Sequence, residues 1–404
     1  LYSQLGYAFE SGSKLRFTPY LRHVRTEFLM HFLPWQPVET NEQMGLGVQA
    51  QYEFNSEDVS WLVGVDLDLT EGSLIEDQKQ PFSPSKPEGL HYNYEVDALV
   101  LSPFVKGLWQ LQDNWSLSAG LRYEHTNYDY DNKLTDGSGC AADVDNCRFS
   151  RPESQTVEFD EFSYQLGTNY RLNDNHHLYA QFSTGYRAPQ ATELFRLQQG
   201  QLIAELDAEQ IRSFELGLRG YNNNLFYDVS AFSMLKKDVI FQDTNRQNIS
   251  GGETSHNGIE FTARYQMPYG LYTNLTGTVA NHEYDSAFTF SRSNIKGNEI
   301  DTAPQHMGSA QLGWQINNEH FIELEWVHLG DYYLDPENKA DYSGHDLFNL
   351  RVTSKFSDRL SMSARVLNLT DVDYAERADF GFGSYRYFVG EPRSIFVSIN
   401  YRFN

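Results

Sequence analysis

Across 404 residues, aromatic side chains make up 15%, with 26 Tyr and 27 Phe against 6 Met and 2 Cys, and 55 acidic residues against 31 basic ones leave a formal net charge of −24. That field repels phosphate backbones and argues against general nucleic-acid binding. Mean hydropathy is −0.56, and neither a run long enough for a transmembrane helix nor a secretory signal is present. One membrane architecture stays open, because a transmembrane β-barrel hides its apolar face in alternation with a polar one.

The predicted elements, in chain order, follow that alternation. A first strand over residues 1–9 runs into a short turn at Ser11, Gly12 and Ser13, and further polar turns fall at 55–58 and 113–114. Over 115–123, Trp115, Leu117, Ala119, Leu121 and Tyr123 share one face, and Ser116, Ser118, Gly120 and Arg122 the other. Over 162–172, Phe162, Tyr164, Leu166, Tyr170 and Leu172 oppose Ser163, Gln165, Gly167, Asn169 and Arg171, before a turn at 173–175. Phe214, Leu216 and Leu218 oppose Ser213, Glu215, Gly217 and Arg219, and a turn follows at 222–224. Ile259, Phe261, Ala263, Tyr265 and Met267 form the next stripe, closed by a turn at 268–270. Turns at 317–318 and 357–358 precede a stripe of Leu360, Met362, Ala364 and Val366, and a last strand covers 394–403. Asn, Asp and Gly tolerate the left-handed backbone that such turns need.

A soluble sandwich also alternates. These strands, however, run about ten residues or more, as a tilted bilayer crossing requires, and aromatic rings close the ends of the stripes. Short turns at one end and long loops at the other are the pattern of an outer-membrane barrel. Eight short turns join about sixteen strands, and the last strand makes about seventeen. Closed bacterial barrels have even counts, so the expectation is an N-terminal portion beyond Leu1 that is missing here. On this reading Leu218→Arg puts a charge in lipid, at about 2–4 kcal/mol near the midplane, whereas Gly217→Ser is nearly neutral.

Several segments carry a resemblance. Tyr186-Arg187-Ala188-Pro189, Glu193-Leu194-Phe195 and Ser213-Phe214-Glu215-Leu216-Gly217-Leu218-Arg219-Gly220 occur in that order, followed by Asn368-Leu369-Thr370-Asp371 with Tyr374, and Gly390-Glu391-Pro392-Arg393. With the alternating end (Ile395, Val397, Ile399, Tyr401, Phe403) and the stretch 28–34, this order resembles the barrel of TonB-dependent outer-membrane receptors. The resemblance implies an all-β fold: a transmembrane antiparallel β-barrel, here about 17 strands of a 22-stranded barrel with the plug domain absent. Residues 1–404 would then be the C-terminal portion of that barrel. It implies uptake of a scarce ligand such as a ferric siderophore across the outer membrane of a Gram-negative bacterium. Partners would be outer-membrane lipid, a small-molecule ferric chelate, and the TonB complex acting through the missing plug. Asn404 lies one residue beyond the aromatic at which such chains stop, and every TonB-contacting residue is absent, so coupling rests on resemblance alone. Related haem receptors carry a ligand His between the segments that correspond to Ala188 and Leu206, and none occurs there.

Cys140 and Cys147, an even pair in an outer loop, are expected to form a disulfide, which would contribute about 2–3 kcal/mol by closing a small loop. Asp129, Asp131, Asp136, Asp143 and Asp145 lack calcium-loop spacing and read as a solvated acidic loop. Glu323 and Glu325 share a wet face and read as wall lining. No catalytic elbow, zinc-protease motif or P-loop is present, so no enzyme, metal site or cofactor is expected. Ligand contact is expected from loop aromatics and cations, which suit a catechol-bearing or anionic chelate. The candidates are Phe32 and Trp35; Arg187, Arg196 and Gln198; Tyr332 and Tyr333; and Arg377, Phe380, Phe382, Tyr385 and Tyr387. The rival functions are a diffusion porin, a surface adhesin or carbohydrate-binding β-protein and, remotely, an outer-membrane hydrolase.

Overall fold

A computed structural model describes every residue except 243–245, 287, 288, 291, 292, 382 and 404, so the candidate Phe382 lies outside the described residues. Among the described residues, seventeen strands pair antiparallel in one sheet. They are β1 (Leu5–Ala8), β2 (Lys14–Leu29), β3 (Val38–Asn55), β4 (Val59–Gln78), β5 (Gly89–Gln112), β6 (Trp115–Asn132), β7 (Gln155–Asn173), β8 (His176–Arg187) and β9 (Glu209–Asn222). They continue as β10 (Leu225–Gln242), β11 (Asn248–Gln266), β12 (Leu271–Tyr284), β13 (His306–Gln315), β14 (His320–Leu329), β15 (His345–Lys355), β16 (Leu360–Leu367) and β17 (Ser394–Tyr401). All eight expected short turns fall at strand junctions, and long connections alternate with them. At the turn before β12, Tyr269 and Gly270 carry φ of 63° and 77°.

Two compact units make up the chain: Leu1–Gly167 with Phe182–Arg212 and Lys236–Gly252, and Thr168–Gln181 with Ser213–Leu235 and Glu253–Asn404. In the first, β1 to β6 pair successively in unbroken order. In the second, β11 to β17 do the same.

The alternating side chains settle the choice between barrel wall and sandwich. In a sandwich the apolar stripe would be the driest part of the fold. Here Phe162 is 60% exposed, Ile259 52%, Val279 60% and Ile399 66%, and Leu121, Leu166, Phe214, Leu216 and Leu312 are exposed with them. Exposed apolar surface repeated strand after strand is a lipid-facing wall. β4 and β5, at 20 and 24 residues, are longer than the roughly 9–11 residues a crossing uses. Their loop-side ends therefore rise beyond the apolar belt.

Dry packing sits in the loop layers instead. In the first unit, Leu74, Tyr92, Tyr94, Val96, Tyr130, Phe149, Leu194 and Phe195 form one cluster. In the second, Tyr332, Leu334, Tyr342, Ala375 and Ala378 form another. These cores anchor loops to strand extensions and give binding side chains a rigid base.

A repeated device stiffens the polar face. Tyr20 lies over Gly47, Tyr179 over Gly217 and Tyr272 over Gly313; in each case an added Cβ would stand 2.2 Å from the ring's Cζ. Each hydroxyl donates to a carboxylate: Asp68 for Tyr20, Asp228 for Tyr179 and Glu323 for Tyr272. Glycine provides the room that lets a ring cross the neighbouring strand. The expectation that Gly217→Ser is nearly neutral is therefore corrected, because Tyr179 already fills the space a side chain would need. Glu323 is buried and paired with Arg351, while Glu325 accepts from Gln311 (2.9 Å) and Asn349 (3.0 Å), so both are wall-lining polar groups.

Candidate functional site

Three loops of the first unit converge on Trp35. The loop 30–37 holds the indole through a tight backbone fold, with Met30 N–H donating to the Pro37 carbonyl (2.9 Å) and Gln36 N–H to that of Leu33 (3.0 Å). Gln36 takes the left-handed φ of 42° that this turn needs. The hairpin after β4 folds back on itself, and the buried Gln78 side chain donates to the carbonyls of Gln80 (2.6 Å) and Lys86 (3.0 Å). That places the Lys86 ammonium 5.1 Å from the Trp35 ring centre and 5.8 Å from Phe82.

The third loop carries Arg148, whose guanidinium stands 4.9 Å from the Trp35 ring centre. Cys140 and Cys147 form the expected disulfide immediately before it. Immediately after it, residues Phe149–Arg151 pair with Gly137–Ser138 and with Leu197–Gln198 in a three-stranded sheet. Arg148 N–H donates to the Ser85 carbonyl (3.3 Å), and its own carbonyl accepts from Gln199 (3.2 Å). Crosslink, small sheet and backbone bonds thus fix one arginine above one indole.

Charge distinguishes this cluster from the other loop cations. Burial lowers the affinity of Lys86 for its proton, and the nearby charges of Arg148 and Arg246 lower it further. Arg148 is pushed down by burial first and then by Arg246. These like charges destabilise one another, and no carboxylate among the described residues forms an ion pair with Lys86 or Arg148, which favours an incoming anion.

The other predicted cations are already neutralised. Arg187 makes ion pairs with Glu193 (2.8 Å) and Glu209 (2.9 Å). The same Glu193 accepts from the Gln190 N–H (2.7 Å) in a capping box on the one-turn helix Ala191–Phe195. Phe195 is fully buried and stacks on Tyr130 at 4.2 Å. The stretch that carries the mid-barrel resemblance is thus a structural knot. Arg196 pairs with Glu39 (2.9 Å) and with buried Glu76, which also contacts buried His91 at 3.1 Å. Burial alone would raise the Glu76 carboxyl. The His91 hydrogen bond and the Arg196 charge outweigh it and hold the group below its usual range.

Gln198 lies on the short strand paired with Phe149, and its Oε1 is buried without a partner among the described residues. Phe32 is exposed and packs against Phe28 and His31. In the second unit, buried Tyr332 accepts from the Ala378 N–H (3.0 Å), and Tyr333 is half-buried beside it. Arg377 and Arg386 both pair with Asp379, Tyr385 donates to Asp335 (3.3 Å), and Phe380 and Tyr387 are exposed. Lys86, Arg148 and Arg246 escaped the sequence reading. Only the position of Arg148 next to Cys147 could have drawn attention to one of them. In the acidic loop, Asp131 pairs with Lys133, Asp129 accepts from Thr156 and Asp136 from Asn132.

Residues 2–369 match the family described as TonB dependent receptor-like, beta-barrel. A TonB-dependent receptor of Haemophilus influenzae is 25% identical over 282 residues, covering 66% of this chain and 74% of its own length. The rhizobactin receptor of Rhizobium meliloti is 19% identical over 345 residues, covering 77% of this chain and 44% of its own length. Among solved structures, the unliganded ferric citrate transporter FecA superposes with a TM-score of 0.78 at 18% identity, covering 100% of this chain. The chain spans 61% of that transporter, a likeness of fold.

Proposed function

This chain belongs to the TonB-dependent receptor-like β-barrel family, and from that premise we propose that it is the C-terminal barrel portion of a receptor importing a ferric siderophore or a similar scarce anionic chelate. Family members are outer-membrane proteins of Gram-negative bacteria, and the exposed apolar stripes suit that setting. The observation that carries the proposal is the Trp35 platform, where Lys86 and Arg148 meet one indole and Arg246 adds a third charge. In a chain of net charge −24, a gathered basic cluster in the loops suits an anion. Its rings suit the flat, electron-rich faces of catecholate or aromatic chelators.

Capture then runs from electrostatic attraction to stacking on Trp35 and Phe82. Arg148 and Lys86 take the ligand's negative oxygens. Passage across the membrane requires an energising partner, which we assign to the TonB complex acting through a plug N-terminal to this chain. The role is binding and transport, with no catalysis and no resident cofactor. Growth of a deletion strain under iron limitation on a panel of ferric chelates tests the reading. Loss of growth on one chelate, restored by the wild-type gene but not by Arg148→Glu, is the expected result. Normal growth on every chelate refutes iron uptake.

A further inference from the structure

On the polar face of the second unit, β11 and β12 set His256 directly opposite His282. Their Nδ1 atoms are 2.8 Å apart, and the ring centres 5.0 Å. The pair lies two rungs from the loop-side end of the register, which begins at Thr254 and Tyr284. Ile259 and Val279, of opposite parity on the same strands, point to the apolar side. The two imidazoles therefore face away from lipid.

Two neutral imidazoles hydrogen-bond through Nδ1 only when one carries the proton and the other presents a lone pair. Nε2 of His256 lies 3.1 Å from Oγ1 of Thr254, whose hydroxyl is buried. Donation from Nε2–H to that hydroxyl leaves the lone pair of His256 on Nδ1, aimed at His282. This is the arrangement of a metal-ligating histidine, whose second nitrogen is held by an oxygen that fixes tautomer and ring angle. Two imidazole nitrogens bound at about 2.0–2.1 Å to one ion stand roughly 3.0–3.4 Å apart. The observed gap needs to open by only a few tenths of an ångström. No group of three or more His, Cys, Asp or Glu suited to a metal occurs among the described residues, so the candidate site consists of these two imidazoles.

We propose that His256 and His282 form a bidentate site for a divalent transition-metal ion of the class that prefers imidazole, namely zinc, nickel or copper(II), with Thr254 as a positioning residue. On binding, the hydrogen on Nδ1 of His282 moves by exchange with water to its Nε2, so both ligands are neutral and no net proton is released. Water or the donor atoms of a carried chelate complete the coordination. A second pair, His306 and His328, shows the same ring separation of 5.0 Å but differs in chemistry. Nδ1 of His328 is tied to Asp346 at 2.8 Å, which also accepts from Trp326, and His306 stands opposite Val279 on the apolar side. That pair serves as the internal control.

The test is zinc titration of the protein extracted from outer membranes in detergent, followed by calorimetry, with copper(II) electron paramagnetic resonance in parallel. One ion per chain is expected. His256→Ala and His282→Ala should each lower affinity at least about 10-fold, while His306→Ala with His328→Ala leaves it unchanged. Thr254→Val should cost about 10-fold and Thr254→Ser should restore it, as expected of a residue acting through ligand orientation. Copper coupling to two nitrogens should fall to one in each single-histidine variant. Zinc should raise the melting temperature of the wild type and leave that of His282→Ala unmoved, which separates lost binding from lost folding. Wild-type affinity in either single-histidine variant, or loss of binding in the control pair instead, overturns the proposal.

Discussion

Replacing Gly217 by alanine puts a methyl 2.2 Å from Cζ of Tyr179, 2.4 Å from its hydroxyl oxygen and 2.6 Å from Cε1. No small adjustment relieves three such contacts, so the ring must leave the strand surface. It then gives up the hydrogen bond from its hydroxyl that Asp228 (3.0 Å) and Glu215 (3.2 Å) share, and its contact with the Arg219 guanidinium, 5.5 Å from the ring centre. The hydroxyl has a single proton, so the two carboxylates count as one shared hydrogen bond to a charged group, about 1.5–3 kcal/mol. Together with the cation–π contact, about 2–4 kcal/mol is lost. Urea unfolding in detergent, followed by tryptophan fluorescence, measures it. Tyr179→Ala with Gly217→Ala should cost less than the sum of the single changes, because the ring that clashes is already gone. A Gly217→Ala protein within about 0.5 kcal/mol of wild type, or strict additivity in the double variant, refutes the reasoning.

Leu216→Arg puts a charge on the exposed apolar stripe beside Gly217 and should destabilise by about 2–4 kcal/mol in bilayers, checked by folding titration into lipid vesicles. Arg148→Ala should weaken binding of an anionic ferric chelate about 10-fold, since a half-exposed charge about 5 Å from an anion contributes on the order of 1.5 kcal/mol; fluorescence quenching of Trp35 reads it, and the loss should shrink in high salt. Cys140→Ser with Cys147→Ser should lower chelate affinity several-fold and cost at most about 2–3 kcal/mol in urea unfolding, because the crosslink closes a small loop before Arg148. The folded Glu76 carboxyl is held below its ordinary value of 4.5, so its pairing with Arg196 stabilises the loops fully above that value and is lost as pH falls through the lower folded one; protease nicking of residues 188–208 should rise below about pH 4, and Glu76→Gln should flatten that dependence.

The wall was legible because its rules are local. Alternation needs only neighbouring residues, and turn chemistry at 55–58 or 222–224 needs only Asn, Asp and their backbone freedom. The disulfide was legible for the same reason. Partner choice across loops was not. Arg187 and Arg196 look like free loop cations in sequence, yet they are bound by Glu193 and Glu209 and by Glu39 and Glu76, which come from other elements. Lys86, Arg148 and Arg246 meet from three separate loops, and no spacing announces it. Gly217 had the right face but the wrong neighbour, because the Tyr179 ring arrives from the adjacent strand.

The same bookkeeping of charge explains why the platform sits where it does. Burying part of an arginine costs free energy unless a carboxylate or an anion offsets it. Around Arg196 the chain supplies two carboxylates, and the result is a closed structural clamp. Around Arg148 it supplies another arginine and a lysine, and it spends a disulfide and a three-stranded sheet on holding them there. A cluster that repels itself and is nevertheless fixed in place is preorganised for a negative guest, since the cost of gathering the charges is met by folding before the guest arrives. The indole beneath the two cations keeps them from being fully hydrated, which strengthens their pull on an anion. On the proposed reading, selectivity follows from shape as well as sign: a small hydrated anion would meet the charges but not cover Trp35 and Phe82, whereas a flat anionic chelate would do both.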